Sequence, residues 1–202
     1  MKILALDSSG LVASVAVVEN DTLLAEYTVN YKKTHSQTLL PMLDEISNMT
    51  ELDLSTIDAI AVAGGPGSFT GLRIGSATAK GLGLALEKPL ISIPTTAAIA
   101  YNIWDTNKFV CPIMDARRNQ VYTGVYCYTD HRLDTVWEQD TMSIEALAEG
   151  LNCLDHEVIF LGDGVAVYRE KLEALLTIPF SFAPAHVNRQ RAAAVAALAE
   201  VY

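Results

Sequence analysis

The chain has 202 residues, half of them apolar, and carries 14 Lys and Arg against 24 Asp and Glu for a net charge of −10 at pH 7. That length suits one sizeable domain or two small lobes sharing a core, and the acidic balance excludes a large direct nucleic-acid footprint, which needs clustered Lys and Arg. The three cysteines are widely spaced and form no C-x-x-C, which speaks against a disulfide framework or a zinc site, and no apolar run reaches membrane-spanning length.

Only four apolar residues lie between Met1-Lys2 and Asp7, too few for the core of a signal peptide, so a cytoplasmic setting is expected. The charged fraction of 19% is below the roughly 25% usual for soluble domains. Such a chain either buries an unusual share of itself or keeps apolar surface for a partner.

Ile3 to Leu6 reads as a short strand, broken by Gly10. Ala13 to Val18 and Leu23 to Val29 follow as strands around a turn at Glu19-Asn20-Asp21, which predicts an antiparallel meander. A helix is predicted from about Ser36, with Leu39, Leu40, Leu43 and Ile46 on one face. Ile57 to Ala63 is a buried-type strand, residues 69–86 a second helix, 89–93 another strand, and Pro94 opens a third helix through about Trp104. The second half echoes the first. Strands are predicted near 109–114, 120–128 and 132–138, a helix from Ser143, a strand at 157–161, a helix over 165–176 and a last helix from near Asn188. The same order twice is the pattern of a duplicated ribonuclease-H-like lobe, an α/β actin-like ATPase fold with two lobes. The expected division is 1–104 for the first lobe, with a C-terminal helix over 188–202 packing back on it, and 105–187 for a smaller second lobe.

The sharpest local signal is Gly64-Gly65-Pro66-Gly67-Ser68-Phe69-Thr70-Gly71-Leu72-Arg73-Ile74-Gly75, between a strand and a helix. Its glycines permit close backbone approach, and a helix start offers unpaired N–H groups to an anion. Two readings stand side by side: a loop touching a phosphate, a carboxylate or a partner, and a tight turn that only needs glycine. No Gly-Lys-Ser/Thr follows, so it is not a P-loop. Asp7, Ser8, Gly67, Ser68, Thr70 and Gly71 are the candidate nucleotide or anion contacts. Gly71, Gly75, Ala79 and Gly83 fall at i+4 spacing and leave a stripe almost without side chains. Each interior glycine costs roughly 1 kcal/mol relative to alanine, so another backbone must come close. That neighbour is either a helix of the same lobe or one from another subunit.

Asp7-Ser8-Ser9-Gly10 stands where actin-like ATPases hold nucleotide phosphates, and its second-lobe twin would be Asp115-Ala116-Arg117-Arg118. Arginine there, where a phosphate hairpin wants glycine, argues against ATP hydrolysis of the standard kind. Gly162-Asp163-Gly164 is a remnant nucleotide loop or, more simply, a strand-to-helix turn. The basic clusters Lys32-Lys33, Arg117-Arg118 and Arg189/Arg191 are small and read as solvated faces. The four histidines are isolated, no HExxH or G-x-S-x-G occurs, and neither a metal site nor a catalytic nucleophile is expected. His35, at a helix start, reads as a capping or interface residue.

Taken in order, Ile3-Leu4-Ala5-Leu6-Asp7-Ser8-Ser9, Thr34-His35-Ser36-Gln37 with Leu40-Pro41, Gly65 to Gly75 with Ala79-Lys80-Gly81-Leu82, Asp115-Ala116-Arg117-Arg118 with Val121-Tyr122, and Gly162-Asp163-Gly164 closely resemble the TsaB (YeaZ) family of bacterial tRNA threonylcarbamoyladenosine biosynthesis proteins. The resemblance covers nearly the whole chain, and its Gly-Pro-Gly-Ser-Phe-Thr-Gly-Leu-Arg segment is highly specific. It implies an actin-like fold that is not itself the catalyst. The implied partner is the paralogue TsaD, which transfers threonylcarbamoyl from an adenylate to the adenosine next to the anticodon. TsaE, a small ATPase, completes the complex, and members alone tend to form homodimers through the same first-lobe helices. Where the catalytic paralogue carries its metal-binding histidines, this sequence has Thr95 and Ile99. Family members usually run a little beyond the last helix, whereas this sequence ends at Tyr202.

The function expected is therefore a non-catalytic scaffold that touches tRNA only through the complex. A partner or dimer interface is expected over His35, Leu39, Leu40, Leu43, Phe69, Leu72, Arg73, Gly75 and Ala79. No cofactor or metal is expected, with an adenine nucleotide at the partner interface left open. The alternative is an enzyme acting alone, a weak ATPase or a peptidase-like member of the superfamily.

Overall fold

A computed structural model describes residues 1–31 and 35–202; Lys32, Lys33 and Thr34, read above within a basic cluster and a motif, lie outside the described residues. The chain divides into two units, Met1–Ala98 with Gln190–Tyr202, and Ile99–Arg189.

The first unit begins with β1 (Lys2–Asp7), β2 (Ala13–Glu19) and β3 (Thr22–Val29), an antiparallel meander. Asn20 and Asp21 make its second turn with φ of 45° and 62°, the paired left-handed residues that suit a two-residue hairpin. After a 3₁₀ turn at His35–Gln37 come α1 (Leu39–Thr50), β4 (Ala59–Ala63), α2 (Phe69–Leu86), β5 (Leu90–Ile93) and α3 (Thr95–Ala100). The sheet order is β3-β2-β1-β4-β5, with β4 and β5 parallel to β1. Leu4, Leu6, Val15, Val17, Ile60 and Val62 meet Leu39, Met42, Leu43 and Ile46 of α1 in one core, joined by Ile74, Leu82 and Leu86 of α2. Ile3, Ala5 and Ala16 are equally buried but lie outside that cluster. They belong to the other face, because side chains alternate along a strand. That face is covered by α6 (Ala192–Ala199), which packs on β1 and β2. Continuous apolar strands such as Ile3 to Leu6 are what a sheet covered on both faces requires.

The second unit repeats the plan with β6 (Phe109–Arg117), β7 (Gln120–Thr129), β8 (Arg132–Ser143), α4 (Ile144–Leu154), β9 (Val158–Leu161), α5 (Gly164–Leu175) and β10 (Phe180–Phe182). Its order, β10-β9-β6-β7-β8, is the first sheet's order read from the opposite edge. The core gathers Ile113, Val121, Val125, Ile144, Leu147, Leu151, Phe160 and Leu172.

Several boundaries differ from those read in the sequence. The division falls inside α3 and not after Trp104, and α3 stops at Ala100. Residues 54–56 form a 3₁₀ turn whose Ser55 N–H is held by Asp53 at 2.9 Å, so β4 starts only at Ala59. The last helix starts at Ala192, not near Asn188. The Asn188 carbonyl accepts the Gly162 N–H at 3.0 Å and the Arg189 carbonyl accepts Asn102 Nδ2 at 2.8 Å, so neither is free to start a helix. β8 extends to Ser143 because it pairs with β7 all the way to Gln120. β10, three residues after Pro179, is too short to announce itself by alternation. Among the described residues no helix is long and apolar enough to cross a membrane.

Candidate functional site

The glycine-rich segment is built into the end of β4 and the start of α2. Gly64 N–H donates to the Ile93 carbonyl at 2.8 Å. Gly65 N–H donates to Thr95 Oγ1 at 3.1 Å, and Thr95 N–H returns a bond to the Gly65 carbonyl at 2.8 Å. The Gly65–Pro66 bond is cis. Thr95, one of the two positions where the catalytic paralogue is expected to carry a histidine, is fully buried and serves here as a clasp on this loop. Ser68 caps α2 by accepting from Gly71 N–H at 3.3 Å, and its own N–H donates to the Ser9 carbonyl at 2.7 Å.

The side-chain-free stripe faces inward. A methyl group on Gly67 would overlap the Ser9 carbonyl oxygen, and one on Gly71 the Ser8 carbonyl oxygen. On Gly75 it would meet Ser8 Oγ, and on Gly83 the Leu90 side chain. The close neighbour is therefore neither a helix of the same lobe nor one of another subunit, but the β1–β2 turn and β5 of the same unit. This corrects the partner-facing reading of Gly75 and Ala79, both buried against their own unit. Leu39 and Leu43 are corrected likewise, since both are consumed by the core beneath α1. Leu40, read on the same face as these, instead points outward and is 54% exposed. On the inward side of α2 the place of a Cβ at Gly67 and Gly71 is taken by the Ser9 and Ser8 carbonyls.

Beneath this contact sits a buried polar cluster. Asp7 is wholly buried, and its Oδ1 accepts from Ser9 N–H at 2.9 Å and Ser9 Oγ at 2.7 Å. Ser8 Oγ donates to the Gly71 carbonyl at 2.9 Å, and His35 Nε2 lies 2.9 Å from the Gly10 carbonyl. Asp7 Oδ2, His35 Nδ1 and both polar atoms of the Gln190 side chain find no partner among the described residues. Burial pushes the Asp7 carboxyl above its ordinary pKa, opposed by the Ser9 bonds and by His35. A raised carboxylate pKa means that the folded state carries a penalty at neutral pH that fades as pH falls through the folded pKa. Asp7→Asn keeps the Oδ1 acceptor for Ser9 and removes the charge. It is expected to raise stability at pH 7, with the gain shrinking toward pH 4. Thermal melts of both proteins across that range check this, and a variant less stable than the parent at pH 7 would refute it.

The outward side of α2 is different. Val62, Ala63, Leu72, Ala77 and Leu90 line an open groove of about 600 Å³ together with Gly64, Phe69, Arg73, Ser76, Lys80 and Ser92. Phe69 is 74% and Leu84 83% exposed on this helix. The Arg73 guanidinium carbon sits 5.0 Å from the centre of the Phe69 ring, a cation–π contact. Of the residues expected at an interface, the structure leaves Leu40, Phe69 and Arg73 exposed and Leu72 and His35 half-buried. Lys80, Leu84, Leu90 and the two groove serines escaped the sequence reading. The signal was present, since residues 69, 73, 77, 80 and 84 step along α2 by four, four, three and four.

In the second unit, Asp115 Oδ1 accepts from Arg117 N–H at 2.9 Å and Tyr168 Oη at 3.1 Å, while Asp163 Oδ1 accepts from Asp115 N–H at 3.2 Å. Burial raises the Asp163 carboxyl pKa. Arg117 and Arg118 occupy the left-handed region with φ of 65° and 52°. Gly162, at φ +102°, packs on the Ile113 carbonyl, so Gly162-Asp163-Gly164 is a strand-to-helix turn. Cys111 is buried beside Thr123 Oγ1 at 3.4 Å, and burial holds its thiol up to about 12. Among the described residues no three His, Cys, Asp or Glu side chains gather as metal ligands.

Residues 22–202 match the family described as "TsaD: tRNA N6-adenosine threonylcarbamoyltransferase". A Bacillus subtilis (strain 168) protein named tRNA threonylcarbamoyladenosine biosynthesis protein TsaB is 35% identical over 176 residues, 87% of this chain and 77% of the relative. The chain belongs to the TsaB (YeaZ) family. YeaZ from Pseudomonas aeruginosa superposes with a TM-score of 0.82 at 27% identity, over 99% of this chain and 91% of that one. A ROK hexokinase from Thermus thermophilus is similar in fold alone, with a TM-score of 0.56 at 14% identity over the full length of both chains. The TsaB family thus has here the two-unit α/β actin-like architecture that the duplicated strand order implied.

Proposed function

We propose that this chain takes part in tRNA threonylcarbamoyladenosine biosynthesis as a non-catalytic subunit that docks a TsaD-like catalytic paralogue through the outward face of α2. The pathway follows from the family and from the name of the Bacillus subtilis relative. The observation that supports the docking face is the disposition of α2: its small-residue stripe is consumed within the unit, while Phe69 and Leu84 stand 74% and 83% exposed, Phe69 at the edge of an open groove. Large apolar side chains grouped on a surface mark sites of association. Leu40 of α1 and the half-buried His35 and Leu72 extend the candidate surface. In this reading a TsaE-like ATPase joins the paired subunits, a homodimer forms in isolation, and tRNA is held through the complex, in keeping with a net charge of −10.

The test is a titration against the TsaD-like paralogue from the same genome. The double variant Phe69→Asp, Leu84→Asp is expected to weaken the complex at least about 100-fold, because a charge in a desolvated interface core is costly. Its melting temperature should stay within a few degrees of the parent, since both side chains are exposed. Undiminished complex formation would show that α2 is not the docking face.

A further inference from the structure

We propose that the groove beside α2 receives an acidic, amphipathic segment of the docking partner, whose carboxylates are held by Arg73 and Lys80. This rests on the docking reading above and goes beyond it by naming the chemistry of the partner's surface.

The argument starts from charge. Acidic residues outnumber basic ones by 24 to 14, so a surface groove that holds two cations and no acid stands out against the chain's overall charge. Lys2, Lys108, Arg169, Lys171 and Arg191 all lie within ion-pair distance of a Glu. Arg73 and Lys80 form no ion pair among the described residues, and no residue lining the groove is acidic. The acids Asp44 and Glu45 on α1, and Glu87 at the end of α2, lie outside the lining. Two cations with no ion-pair partner among the described residues, in a groove lined by no acid, make a local positive site.

Geometry then restricts the occupant. Arg73 and Lys80 are seven residues apart on α2, about 10 Å along the helix axis, and share one face. Two carboxylates spaced along a helix can span that length, or both long side chains can converge on one. Arg73 is held over Phe69 by its cation–π contact, so its N–H fork is partly pre-oriented before a partner arrives. Ser76 and Ser92 add hydroxyl groups to the groove lining. Val62, Ala63, Leu72 and Leu90 in the same lining call for apolar side chains on the same segment. An acidic amphipathic helix meets all three demands.

The test measures Kd and association rate for the TsaD-like paralogue over about 50–500 mM NaCl. The neutral double variant Arg73→Gln, Lys80→Gln is expected to weaken binding about tenfold at low salt and to flatten the salt dependence. The reversed pair Arg73→Glu, Lys80→Glu is expected to weaken it at least about 100-fold. Parental Kd and salt dependence in the neutral variant would overturn the proposal. So would charge variants that change only self-association in sedimentation, which would make a second copy the occupant. If Phe69→Asp, Leu84→Asp breaks the complex while the neutral variant is silent, only the acidic anchor fails. If neither set affects the complex, the docking reading fails with it. All four side chains are exposed or line an open groove, so melting curves separate lost binding from lost fold.

Discussion

Gly71→Ala is expected to lower stability by about 3 kcal/mol, while Gly81→Ala in the same helix raises it by about 0.5–1 kcal/mol. Both glycines lie within α2, Gly71 in its first turn and Gly81 in its interior, and helix propensity favours alanine over glycine. They differ in what a methyl group would meet. At Gly81 nothing lies within 4 Å. At Gly71 the Ser8 carbonyl oxygen occupies the place, with His35 Cδ2 at 3.3 Å on another side. That oxygen belongs to backbone beside the wholly buried Asp7 and cannot swing away as a side chain would. For a chain of this size the loss corresponds to a fall of about 6–12 °C in melting temperature. Denaturant melts of the two single variants check it. Equal effects of either sign would show that the stripe is not held against the β1–β2 turn.

Glu26→Ala is expected to cost about 2–3 kcal/mol, as large as many core truncations although the residue lies on an edge strand. The start of α6 has no cap from its own sequence, because Arg191 precedes it in extended conformation and makes no side-chain cap bond. Its first N–H groups are satisfied from far away. Ser14 Oγ accepts from Ala192 N–H at 2.8 Å, and Glu26 Oε1 accepts from Ala193 N–H at 3.1 Å. Glu26 Oε2 also accepts from Arg191 Nε at 3.0 Å and from the Arg191 terminal guanidinium nitrogen. With Glu26 only 11% and Arg191 34% exposed, truncation strips the helix start of an acceptor and leaves a half-buried guanidinium unpaired. Glu26→Gln keeps the cap and loses the ion pair, so its cost should be about half as large. Hydrogen exchange should show α6 opening before the rest of the unit in the alanine variant. Unchanged protection of α6 would mean that the helix is held by its apolar contacts alone.

How far the sequence could be read depends on which forces act locally. The meander of β1, β2 and β3, its Asn20-Asp21 turn and the span of α2 were all legible, because alternation, turn chemistry and capping by Ser68 involve residues close in sequence. The start of α6 was misplaced because its caps come from Ser14 and Glu26, more than 160 residues earlier. The candidate surface was half legible. Leu39, Leu40 and Leu43 are equally apolar on paper, but helical spacing puts Leu39 and Leu43 with Met42 and Ile46 on the core and turns Leu40 outward. The glycine stripe signalled close approach without saying what approached.

The sequence by itself determined the family and the duplicated α/β plan, because both are properties of residue identity and order. Only the tertiary structure decided which side of α2 is spent inside its own unit and which is left open. Periodicity fixes the angle between two faces of a helix but not which one meets the sheet. That choice was settled by the Ser8 and Ser9 carbonyls lying against Gly71 and Gly67, which leave Phe69, Arg73, Lys80 and Leu84 on the opposite side, facing solvent.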